Sequence, residues 1–104
     1  MLTPEIIERL KAAHPNTELH ELAFADGSVV VRLPSRSEYR MFQSIVTDRS
    51  LPEGLEYLLN TCVVHPDAAA VAALFERRPG LVNVLGNKLA GLAGSGAQVE
   101  AKKL

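Results

Sequence analysis

Apolar residues along this chain recur first at helical spacing, then in alternation, then at helical spacing again. "LTPEIIERLKAAHP" sets Ile6, Ile7 and Leu10 on one face of a short helix. Thr3 is its expected cap, Pro4 suits the first helical position, and Glu5 complements the positive end of the dipole. His14-Pro15 closes it, because the residue before a proline avoids the α region. In "TELHELAFADGSVVVRLP", Asp26-Gly27 separates two runs with period two, which predicts a β-hairpin over about residues 18–33. His20, Leu22 and Phe24 share one face of the first strand. Val29, Val31 and Leu33 share one face of the second, with Val30 and Arg32 on the other. An isolated hairpin is marginal in water, so this one must pack on helices or gain strands from another copy.

Helical periodicity then returns. Ser35-x-x-Glu38 is a capping box before "SRSEYRMFQSIVTD", whose stripe is Tyr39, Phe42 and Val46, widened by Met41 and Ile45. A second box, Ser50-x-x-Glu53 with Pro52, opens a helix carrying Leu55, Leu58, Leu59, Cys62 and Val63. His65-Pro66 is expected to break it, and Asp67 to cap "AAAVAALFERR". The alanine-rich surface of that helix allows close helix approach, with Val71, Leu74 and Phe75 toward the core. After Pro79-Gly80 a last helix carries Leu81, Val82, Leu85, Leu89 and Leu92, weakened at Gly86 and Gly91 by about 1 kcal/mol each relative to alanine. The pattern predicts an α+β domain over residues 1–94, in which an N-terminal helix and hairpin precede a bundle of about four short helices. Residues 95–104 read as a flexible tail.

Composition narrows the function classes. The 104 residues carry 11 Lys+Arg against 12 Asp+Glu, a net charge of −1, which gives no field for nucleic-acid phosphates. One cysteine excludes an internal disulfide and suggests a reducing compartment. The N-terminus has no basic-then-apolar leader, and no apolar run approaches the roughly 20 residues that span a bilayer. The expectation is a cytoplasmic protein with neither membrane nor nucleic acid as partner.

The segment "YLLNTCVVHPD" raises the question of chemistry. Cys62 and His65 have the residue types of a thiol nucleophile and its base. Cys62, however, falls on the Leu55 stripe, where cysteine acts as a small hydrophobe, and His65 falls at a helix end. His14, His20, His65 and Cys62 lack metal-site spacing. "PGLVNVLGNKLAG" and "GLAGSG" lack the Lys-Ser/Thr ending of a phosphate loop. No catalytic, cofactor-binding or metal-ligating residue is assigned, and the chain is expected not to be an enzyme. A small regulatory or DNA-binding protein, suggested by Arg36, Arg40 and Arg49, is the alternative. Tyr39 and Phe42 are the candidate partner-binding anchors, with core positions as the competing reading.

Three stretches, "VVVRLPSRSEYRMF", "YLLNTCVVHPD" and "FERRPGLVNVLGNKLAGLAG", resemble the tail assembly chaperones of long-tailed bacteriophages and prophages. The resemblance runs from about Val29 to Gly94. It implies a non-enzymatic chaperone in the host cytoplasm that binds the long, helical tape measure protein and keeps it soluble. It further implies recruitment of tail tube protein; a homo-oligomer is a separate expectation for this chain. In that family a translational frameshift often appends a C-terminal extension, for which the segment from Ser95 is the expected junction.

Overall fold

Six-residue strands β1 (Leu19–Phe24) and β2 (Gly27–Arg32) pair antiparallel, with Leu22 opposite Val29 and Phe24 opposite Gly27. The turn is therefore Ala25-Asp26, one residue earlier than Asp26-Gly27. Gly27 serves by its size here: a Cβ on it would meet the Phe24 ring at 3.2 Å. This computed structural model describes residues 2–95 and 97–104; Met1 of the expected domain and Gly96 of the expected tail lie outside the described residues.

The hairpin gains a third strand from its own chain, which the sequence pattern does not predict. Helix α1 (Pro4–Ala13) precedes the sheet, and α2 (Arg36–Asp48) and α3 (Leu51–Cys62) follow it. The apolar run of α3 was expected to continue to His65, but the helix stops at Cys62 and Val63–His65 forms β3. Strand order is β1-β2-β3, with Val31 opposite Val63 and Val30 opposite His65; a bulge between them leaves Val64 extra. Helices α4 (Ala68–Arg77) and α5 (Gly80–Ala90) complete the α+β architecture, and a π-helical turn over Gly91–Ser95 follows. The turn contains Gly94 at φ 113°, a conformation that favours glycine. Residues 97–104 carry no regular structure.

Local capping sets most boundaries. Thr3, Ser35, Ser50 and Asp67 each accept a hydrogen bond from the backbone N–H three residues on. Ser35 and Glu38 complete a reciprocal box, whereas Ser50 bonds Glu53 in one direction. Met41, expected on the buried stripe of α2, is 51% exposed.

The core lies between one sheet face and the helices α2, α3 and α5. Leu22, Val29 and Val31 meet Phe42, Leu55, Leu58, Leu59, Cys62, Leu85 and Leu89 there. Val30 points to the opposite sheet face and is also buried, 5% exposed, in a cleft shared with Ile7 and Leu10 of α1. Gly86 lets α5 approach α3, since a Cβ would stand 2.8 Å from Leu55 Cβ and 3.2 Å from its carbonyl oxygen. One guanidinium then joins sheet and helices. Arg32 donates from Nη1 and Nη2 to the two carboxylate oxygens of Glu38, both at 2.8 Å. Nη2 also donates to the Thr61 carbonyl, at 3.1 Å, in the last turn of α3.

Gly86 and Gly91 should respond oppositely to alanine. Gly86→Ala should lower stability by about 1–3 kcal/mol, because overpacking against backbone outweighs improved propensity. Gly91, with open space around its Cβ position, should gain about 0.5–1 kcal/mol. Urea denaturation of both variants measures the contrast.

Candidate functional site

The fold does not assemble Cys62 and His65 into a reactive pair. Cys62 faces the core with no exposed surface, and burial pushes its thiol up to about 11. His65 stands opposite Val30, so it belongs to the other face of the sheet, where it lines a groove with Glu21 and Asp26. His20 Nε2 lies 2.6 Å from Glu18 Oε1. Among the described residues no group of three His, Cys, Asp or Glu side chains is placed to hold a metal.

The two candidate anchors separate as well. Phe42 is buried and packs against Tyr39 with ring centroids 5.2 Å apart. A Cβ on Gly54 would meet its ring at 3.2 Å, so α3 covers Phe42 closely. Phe42 is thus a core residue rather than an accessible anchor, while Tyr39 is half-buried at the margin. Arg32 is committed to Glu38 and Thr61, and of the arginines grouped in the sequence Arg49 lies 3.7 Å from Glu53.

The Arg32–Glu38 pair has an electrostatic consequence. The hydrogen bond from Arg32 holds the Glu38 carboxyl down to about 2, helped by the Ser35 backbone N–H and opposed by partial burial. A depressed carboxylate stabilises the folded state fully above its ordinary value near 4.5 and loses that contribution as pH falls toward 2. Side-chain exposures of 24% and 23% leave some screening by water.

Two concave surfaces of mixed polarity flank α4. Only Val71 of α4 is buried, with Leu74 and Phe75 half-buried, as expected of the three core-directed residues. Ala69, Ala72 and Ala73, at helical spacing, form an exposed face. On one side a groove of about 460 Å³ runs between α3, α4 and α5, with Phe75, Ala72 and Val82 in its lining and Glu56 and Glu76 among its polar groups. On the other side a groove of about 740 Å³ separates α4 from the outer face of the sheet. Arg78, just past α4, reaches Asp26 of the hairpin turn at 3.1 Å. The alanine-rich composition of α4 was visible in the sequence. The grooves were not, because they depend on how α3, α5 and the sheet flank it.

Two measurements check these assignments. Cys62 should resist alkylation in the folded protein and react normally in denaturant, with a rate that follows unfolding; prompt labelling of the native chain would contradict its placement. Stability should drop by about 2 kcal/mol between neutral pH and pH near 2 on account of Glu38. Glu38→Gln should flatten that part of the pH profile in urea titrations.

Comparison with known proteins gives fold and family. The solved structure of the uncharacterised protein rbstp2171 from Bacillus stearothermophilus superposes with a TM-score of 0.75 at 18% identity. It matches 92% of this chain and 99% of that one, a likeness of fold. No curated protein matches the chain. A family model described as "Domain of unknown function (DUF6848)" matches residues 19–102, from the first residue of β1 into the C-terminal segment, and the chain belongs to that family.

Proposed function

We propose that this protein is a non-enzymatic binding module that holds an amphipathic helical segment of another protein. The observation that carries the reading is the exposed Ala69, Ala72 and Ala73 face of α4 beside a groove containing Phe75 and Val82. Small side chains let a second helix come close, and an aromatic next to them supplies an apolar anchor. Glu56 and Glu76 border the same groove, and among the described residues neither takes part in an ion pair. A helix with an apolar stripe and flanking lysines or arginines complements that arrangement.

The segments resembling tail assembly chaperones suggest the client. A tape measure protein is long and helical and exposes apolar faces before the tail tube forms around it. A module that shields such faces in the host cytoplasm needs a surface rather than a reaction centre. Association with tail tube protein and self-association belong to the same proposal.

Co-expression with the long reading frame encoded beside this gene, followed by affinity capture and size exclusion, tests it. The expected result is co-elution with a helical partner that is insoluble alone. Ala73→Arg, at an exposed position, should leave the melting temperature unchanged and reduce capture by about tenfold. A partner that stays insoluble and unbound would overturn the reading, as would capture unaffected by Ala73→Arg.

A further inference from the structure

A different face of the molecule carries a second inference, which stands even if the tail assembly reading fails. Helix α1 covers the outer side of the sheet, yet none of its residues is buried. Ile6, Ile7 and Leu10 are half-buried, while Val30 beneath the helix is 5% exposed. Val30 lies between its cross-strand neighbours Glu21 and His65 and lines a cleft with Ile7 and Leu10 of a helix that itself stays largely open to solvent. Among the described residues no side-chain hydrogen bond or ion pair joins α1 to the sheet: Thr3 bonds within its own helix, and His20 bonds Glu18. A gap of about 130 Å³ remains between Ile7 and Leu10 on one side and Leu19 and Val30 on the other. The family segment begins at Leu19, so α1 precedes the region that the family model describes.

We infer that the outer face of the sheet, centred on Leu19 and Val30, is a helix-docking site that α1 occupies reversibly and that an amphipathic helix of a partner protein can take over. Helix α1 itself indicates the chemistry of that partner. It offers branched aliphatics at positions 6, 7 and 10, with Lys11 lining the same cleft as Glu21. The replacing helix therefore has an apolar stripe at this spacing, a basic residue toward Glu21, and a bulkier side chain where Ile7 stands. That bulk matters because a gap forfeits dispersion contacts on its open side. It also favours a partner over a second copy of this chain. The α1 of another copy would make the same contacts as the resident helix, while the resident has an effective concentration of about millimolar from its tether. A helix that fills the gap has an added contact with which to compete.

The test uses the full chain and a labelled synthetic peptide of residues 2–14 carrying Ile7→Phe. Hydrogen exchange of the native protein should show α1 amides exchanging well ahead of those in α3. Fluorescence anisotropy should show saturable peptide binding. Ile7→Asp in the protein, which undocks α1 without touching a buried residue, should tighten peptide binding at least about tenfold by removing the competitor. Leu19→Asp should abolish binding in both backgrounds. Equal peptide affinity for native and Ile7→Asp proteins, or no binding by either, overturns the inference. Protection of α1 equal to that of α3 does so as well. Concentration-dependent dimers with α1 exchanged between copies would overturn the partner-helix assignment in favour of self-exchange.

Discussion

The bidentate contact of Arg32 with Glu38 is the point on which the rest of this small structure turns. Glu38 already belongs to the capping box of α2, so its carboxylate serves the helix start and the guanidinium together. The same guanidinium accepts the duty of satisfying Thr61, one of the last carbonyls of α3, which would otherwise be without a helical partner. One side chain thereby ties the capped start of α2 and the last turn of α3 to β2. With α3 stopped at Cys62, the following residues extend along the free edge of β2 as β3. This arrangement is charge-assisted and only partly shielded, so it is strong in geometry and moderate in energy.

Features fixed within a few residues were legible in the sequence. Thr3, Ser35, Ser50 and Asp67 cap where their spacing indicated, because an N-cap is made between residues three apart. The stripe of Leu55, Leu58, Leu59 and Cys62 is buried as its period required. Features settled at a distance were not legible. Residues 63–65 look like a continuing apolar helix until β2 provides an edge and Arg32, 29 residues before Thr61, takes the helix end. The β-branched pair Val63-Val64 was the one local hint of a strand. Gly27 misled by one position because its value lies in making room for Phe24 rather than in left-handed freedom.

The same division applies to the candidate site. Tyr39 and Phe42 were ambiguous because aromatics are favoured both in cores and at interfaces. Gly54 and the α2–α3 contact resolve Phe42 as core. The alanines of α4 invited a neighbour in the sequence, and the fold supplies that neighbour on the Val71 side alone. What faces outward is therefore concave surface of mixed polarity. Its polar groups, Glu56 and Glu76 among them, select partners more than they hold them.

The tie between Arg78 and Asp26 gives this surface a mechanical character. Both side chains are about half exposed, so the bond is weak beside the one at Arg32. The hairpin is thus anchored firmly at the β2 end and lightly at its turn. Of the two attachments, the one at the turn is the more exposed to water and the more easily broken. The tie between α4 and the turn is thus independent of the contacts that hold β2 to α2 and α3, and losing it would leave those contacts in place.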